Sequence, residues 1–280
     1  MITGVIPRWT AVAGALLLAA GCGGTSTPSA AAVRTPTAHT TTTTGPRAAT
    51  PRVIARPIHV VGLGDSVMAG THCRCAGPAQ EYGDALAAST GRTVTVTNLG
   101  VGGSITTDLL GDLRRDAQTR SAVRTATVVL VTIGANDLLP EFAAYRSNVT
   151  CNAACYAGPA HTMGLHLIQV LDAIADLRTG EAATVLVTNY WNVFTDGQVA
   201  RADGGQDEVD WSTAVTRAAN REICTAAQTT GTTCVDLVAP FKGTGDKDPS
   251  PLLAEDGDHP NAAGVRAIVR ALVAATPALP

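Results

Sequence analysis

Short apolar runs recur along the chain from residue 58 onward, separated by stretches of helical periodicity. Residues 58 to 63 are largely apolar and end in the turn Gly64-Asp65-Ser66, which reads as a short buried strand delivering Ser66 to the edge of a sheet. Thr93 to Asn98 alternates β-branched residues and gives a second strand. Thr127 to Ile133, interrupted only by Thr132, has the composition of a buried central parallel strand. Thr184 to Thr188 and Thr232 to Leu237 complete a set of five. Between them, helices are predicted over Glu81 to Ser89, about Thr107 to Arg120, a segment with Leu167, Ile168, Leu171 and Ile174 on one face, and about Asp207 to Ala227. A last helix packs Val265, Ile268, Val269, Leu272 and Val273. Strands alternating with helices predict a parallel sheet covered on both faces.

The first 56 residues follow none of these patterns. Arg8 followed by the apolar run Trp9 to Ala20 is too short to span a membrane comfortably and reads as a secretory signal, residues 1 to 21. It ends in Leu18-Ala19-Ala20-Gly21-Cys22, which resembles a bacterial lipoprotein cleavage box with Cys22 as the lipidated residue. A plain signal peptide is the alternative. Residues 22 to 56, rich in Thr, Pro and Ala, offer no apolar face and are expected to form a disordered tether. A folded domain is expected over residues 57 to 280.

Charge divides at the same boundary. Five of the 20 basic side chains precede residue 57, leaving 15 basic against 23 acidic residues in the expected domain, a net of −8. That balance argues against a nucleic-acid partner, while the basic tether suits an anionic membrane surface. The domain holds six cysteines: Cys73, Cys75, Cys151, Cys155, Cys224 and Cys234. An even number behind a signal peptide points to disulfides, and sequence proximity pairs 73 with 75, 151 with 155 and 224 with 234. Their spacing fits a zinc site poorly.

Candidate chemistry gathers in the turns after the strands. Ser66 is a candidate nucleophile. Asp256 and His259 lie three apart before the last helix, a spacing that lets a carboxylate orient an imidazole while the other ring nitrogen faces the serine. Asp258 competes for the carboxylate role, although its place next to His259 directs it elsewhere. Gly103, in the glycine-rich turn after the second strand, can bring a backbone N–H close to a ligand, and the Asn136 carboxamide can meet a developing oxyanion. The glycine-rich turn fails the dinucleotide pattern at Ile105. Tyr190, Trp191 and Phe194 follow the fourth strand and are candidates to line a substrate pocket, with core packing as the competing reading. The acidic residues Asp246, Asp248, Glu255, Asp256 and Asp258 match no EF-hand spacing.

Taken together, Gly64-Asp65-Ser66, Gly103, Gly134-x-Asn136-Asp137 and Asp256-x-x-His259-Pro260, in this order, resemble the four sequence blocks of the SGNH hydrolases, the GDSL-type esterases and lipases. The resemblance spans residues 58 to 275. It implies a flavodoxin-like α/β/α fold with strand order 2-1-3-4-5. It also implies Ser66 as nucleophile, His259 as base, Asp256 as its orienting acid, and an oxyanion hole from Ser66 N–H, Gly103 N–H and the Asn136 side chain. No metal or cofactor is implied, the substrate is a small-molecule or lipid ester, and a monomer is expected. With its signal sequence and cysteines the chain resembles the secreted actinobacterial branch. Carbohydrate O-deacetylation or acyl transfer is an alternative within the family's chemistry, and an inactive surface-binding lipoprotein is the alternative outside it.

Overall fold

A computed structural model describes residues 56–147, 150–178 and 183–279. The expected signal sequence, Cys22 and all of the tether but Arg56 lie outside the described residues. The chain begins with β1 (Ile58–Gly64), the single turn α1 (Ser66–Ala69) and α2 (Gly77–Thr90), followed by β2 (Val94–Gly100), α3 (Thr106–Arg115), α4 (Ala117–Thr125) and β3 (Val128–Thr132). Next come α5 (Leu139–Arg146), α6 (Ala153–Leu177), β4 (Thr184–Thr188), α7 (Gly197–Asp203), α8 (Gly205–Thr229), β5 (Thr233–Val235), α9 (Val238–Lys242) and α10 (Ala262–Ala275). All strand pairings are parallel and the order is β2-β1-β3-β4-β5. This is the expected three-layer arrangement.

Two of the three inner strands, β1 and β3, explain why the sheet needs helices on both sides. Every residue of β3 is buried, as are Ile58, Val60, Val61 and Leu63 of β1, so neither face of the centre meets water. α2 and α10 pack together on one face, while α3, α4, α6 and α8 form the other layer. Gly64 ends β1 beside Thr132 of β3 with φ +131°, and a side chain there would collide with the Thr132 carbonyl. Glycine therefore lets the two strands stay in register up to the turn that carries Ser66.

Several boundaries differ from the sequence reading. The helix expected over Thr107 to Arg120 is two helices, because Asp116 adopts an extended conformation and its side chain accepts the Thr119 N–H at 2.7 Å. An N-cap of this kind starts a new helix instead of continuing the old one. α5 and α7 were not anticipated; α5 begins with Pro140 in its first turn and carries Glu141 there, both compatible with a helix start. The structure joins Cys73 to Cys75, Cys151 to Cys155 and Cys224 to Cys234, the pairs that sequence proximity favours.

Candidate active site

Three loops at the carboxyl edge of the sheet carry the candidate polar chemistry into one cavity of about 110 Å³, whose walls include Ser66, Asn136, Asp258 and His259, with the loop after β4 as a further wall. In an open parallel sheet this edge is where ligands bind, because the chain leaves the sheet there in adjustable loops.

The Ser66 turn is built from below. Asp65 caps α1: its Oδ1 accepts the Val67 N–H at 3.0 Å, and its own N–H donates to the Thr132 carbonyl at 2.9 Å. Ser66 is the first residue of that turn of helix, so its N–H has no partner within the helix ladder. The other Asp65 oxygen accepts a hydrogen bond from the Tyr190 hydroxyl. Tyr190 is itself clamped by Asn220, which accepts its N–H at 3.0 Å and donates to its carbonyl at 2.7 Å. Burial pushes the Asp65 carboxyl up to about 7, against the hydrogen bonds from Tyr190 and Val67 that favour its charged form. Burial, with Asp65 beside it, raises the Tyr190 phenol well above its usual value.

The second loop supplies Asn136. Its Nδ2 donates to the Ser104 carbonyl at 3.0 Å, which fixes the carboxamide and leaves its second N–H for another acceptor. The neighbouring Asp137 ties the same two loops together, accepting Thr106 N–H at 3.0 Å and Thr106 Oγ1 at 2.5 Å at the start of α3. Gly134-Ala-Asn-Asp is thus a clamp across loops; Asp137 receives the first N–H of a helix other than its own. Gly103 has φ +81° and open space where a side chain would stand, but it does not belong to the residues lining the cavity. Its neighbour Gly102 lies nearer the serine, where an added Cβ would stand 3.9 Å from Ser66 Cβ.

The third loop carries the histidine. His259 Nδ1 lies 2.7 Å from Asp256 Oδ2, while Asp256 Oδ1 accepts the backbone N–H groups of Asp258 and His259, both at 3.1 Å. Burial works against the charge on Asp256, yet these hydrogen bonds outweigh it and hold its pKa below the usual carboxylate value. Asn261 fixes the loop to the helix that follows. Its Oδ1 accepts Ala263 and Gly264 N–H, capping α10, and its Nδ2 donates to the Pro251 and Leu253 carbonyls.

Asp258, the competing carboxylate, stands farther from the imidazole than Asp256 does. It lines the cavity, with Oδ2 3.9 Å from His259 Nδ1. Burial raises its pKa to about 6; Asp256 adds repulsion, and His259 and His72 offset part of the effect. Tyr190, Trp191 and Phe194 do line the cavity, but each is at most 3% exposed and already engaged. The Tyr190 hydroxyl is committed to Asp65, Trp191 stacks on Phe241 at 4.1 Å, and Phe194 stacks on Phe142 at 4.6 Å. They form a rigid apolar wall, each stack worth about 0.5–1.5 kcal/mol beyond burial. The acidic residues of the segment Asp246 to Asp258 are engaged with other partners. Asp248 pairs with Arg201 at 2.9 Å, Glu255 with Arg74 at 3.6 Å, and Asp256 with His259.

Sequence reading did not single out Phe142, which reaches the cavity from the unanticipated α5, or His72, whose Nε2 lies 3.7 Å from Asp256 Oδ2. Pro140 and Glu141 could have signalled α5. For His72 no local signal exists, since its neighbours are about 185 residues away in the chain.

The family model for the GDSL-like lipase/acylhydrolase family matches residues 63–267. Among solved structures, a lipase from a goat rumen metagenome superposes with a TM-score of 0.61 at 20% identity, covering 78% of this chain and 97% of its own. An extracellular lipase from Streptomyces rimosus gives 0.58 at 24% identity, with 78% and 100% covered. A catalytic variant of an acetylxylan esterase from Geobacillus stearothermophilus gives 0.52 at 17%, with 78% and 93% covered. At these identities the structural likenesses establish the fold. Comparison with curated proteins finds no match. The family match, spanning most of the chain and enclosing all three loops of the cavity, places this protein in the GDSL-like lipase/acylhydrolase family.

Proposed function

We propose that the protein is a serine esterase that hydrolyses carboxylic esters through an acyl intermediate on Ser66. The observation that carries this reading is the Asp256–His259 hydrogen bond at 2.7 Å in a loop that shares one small cavity with Ser66 and Asn136. Asp256 holds the proton on Nδ1, which leaves Nε2 as the basic nitrogen. Nε2 takes the Ser66 hydroxyl proton as Oγ attacks the ester carbonyl. The oxyanion receives hydrogen bonds from Ser66 N–H and the free Asn136 N–H, with a backbone N–H of the Gly102–Gly103 turn, which approaches Ser66 through Gly102, as the third donor. Collapse breaks the bond to the alcohol, which leaves with the proton from His259. Water then attacks the acyl carbon with His259 again as base, and the acid departs.

Cavity size sets the acyl preference. The cavity beside Ser66 is small, about 110 Å³, which favours short acyl groups over a long chain. The rigid aromatic wall resists widening. The same small cavity favours a second reading, removal of O-acetyl groups from extracellular glycans, and the acetylxylan esterase among the structural likenesses supports keeping it. Activity on a series of nitrophenyl esters from acetyl to long chain, beside acetylated sugars and with Ser66→Ala as the blank, tests both. Highest kcat/KM on the shortest esters supports the proposal; a long-chain optimum contradicts it.

The setting proposed is extracytoplasmic, with residues 1 to 21 removed, Cys22 acylated and residues 22 to 56 as a tether. Three disulfides suit an oxidising compartment, and among the described residues no helix is long and apolar enough to cross a membrane. The mass of the mature N-terminus tests the anchor; an unmodified terminus downstream of Cys22 contradicts it.

A further inference from the structure

We infer that His72, Asp256 and His259 form a site for a divalent transition-metal ion such as zinc, and that metal bound there switches the esterase off. One ligand atom from each residue lies within 4.8 Å of the other two. Asp256 Oδ2 is the hinge of the set, 2.7 Å from His259 Nδ1 and 3.7 Å from His72 Nε2. Tetrahedral zinc with bonds of about 2.0–2.2 Å needs ligand atoms about 3.3 Å apart. Of the three gaps, the one between Asp256 and His259 must therefore open by roughly half an ångström, while the one between Asp256 and His72 closes by about as much and the one between the two imidazole nitrogens by up to roughly 1.5 Å. His72 can supply that movement, because its side chain is 59% exposed.

The loop that carries His72 is held in place for this. His72 and Arg74 have φ of 59° and 52°, a left-handed conformation that non-glycine residues rarely adopt. The Cys73–Cys75 disulfide, starting at the residue after His72, closes around Arg74, and Arg74 pairs with Glu255, next to Asp256. Strain of this kind persists only where the surroundings over-determine it. The His72 and His259 rings lie 5.1 Å apart, tilted by 38°. A dication is favoured further by the carboxylate of Asp258, near His259 on the cavity side. Two imidazoles and a carboxylate are a donor set suited to zinc, with a fourth position left for water.

The consequence for catalysis follows from the tautomer. This step rests on the reading of His259 as the base that activates Ser66. Metal on Nδ1 uses the lone pair at the nitrogen that otherwise carries the proton toward Asp256. The neutral ring's single proton then moves through solvent to Nε2, so no proton is gained or lost overall. Nε2–H is a donor and cannot accept the proton of Ser66. Metal at this site thus removes the base without touching the serine.

The full chain with its disulfides intact is stripped with EDTA, desalted and titrated with zinc chloride by calorimetry, and with cobalt(II) chloride by visible absorbance. Hydrolysis of nitrophenyl acetate is followed in parallel. Zinc is expected to inhibit at micromolar concentration, with EDTA restoring the rate. In His72→Ala the half-inhibitory and half-binding concentrations are expected to rise at least about tenfold, each normalised to that variant's own metal-free rate. His72→Gln, folded by circular dichroism, serves as a second variant. Equal metal affinity in wild type and both variants, or no binding at all, overturns the inference. A protein without esterase activity that still binds cobalt through His72 would sink the reading of Ser66 and leave the metal site standing.

Discussion

Asp256 Oδ2 stands 2.7 Å from His259 Nδ1, while the competing carboxylate, Asp258, is held 3.9 Å from the same nitrogen. Asp256 also receives two backbone N–H groups from its own loop, so it is fixed before the imidazole meets it. The two aspartates therefore have separable roles although they are two residues apart. Asp256→Asn is expected to lower kcat by on the order of 10³–10⁴, because the ring loses the group that selects its tautomer. Asp258→Asn is expected to cost less than about tenfold, as it breaks no hydrogen bond that orients the ring. Steady-state kinetics on nitrophenyl acetate decides between them. A damaging Asp258→Asn beside a nearly neutral Asp256→Asn would reverse the assignment.

Asn136 is held ready by the Ser104 carbonyl and makes no contact needed to deprotonate the serine. Asn136→Ala is expected to lower kcat about 10²–10³-fold, the usual cost of one oxyanion donor, with a smaller effect on KM. Slow labelling of Ser66 by a fluorophosphonate should survive. Complete loss of labelling in a folded variant would mean that Asn136 shapes the serine and not the oxyanion.

Burial of Asp65 makes a prediction about stability. Its carboxyl titrates near 7 in the folded protein against an ordinary value of 3.8, so between these pH values the native state holds a proton that the unfolded chain has lost. Unfolding free energy from this group is therefore highest on the acid side, falls as pH rises through about 4 to 7, and levels off above. Asp65→Asn retains an acceptor for the Val67 N–H but removes the titration. In urea unfolding at pH 5 and pH 8, wild type is expected to lose about 2–3 kcal/mol more than the variant between the two. Parallel losses would show that Asp65 is ionised throughout.

Much of this was legible in the sequence because it is local. β1 and β3 are buried on nearly all positions of both faces, and their apolar runs, broken only by His59 and Thr132, show it. The Asp256-x-x-His259 spacing likewise closes its hydrogen bond within one loop, and the disulfides join near neighbours. What could not be read is what packing decides. Asp65 looks like a solvated turn residue until Tyr190, 125 residues away, is placed over it. That Asp258 also lines the cavity could not be read, because spacing alone does not reveal which way a tight loop closes. Tyr190, Trp191 and Phe194 reach the cavity, but only the structure shows that stacking and hydrogen bonding have already fixed them.

The most direct test of the central claim is the site of covalent labelling. The protein is treated with a fluorophosphonate, its intact mass recorded, and the modified peptide sequenced. A serine activated by His259 is expected to give a single adduct on Ser66, with loss of esterase activity in step with labelling. Neither labelling nor activity is expected in Ser66→Ala. An adduct on another residue, or full esterase activity in Ser66→Ala, would contradict the account.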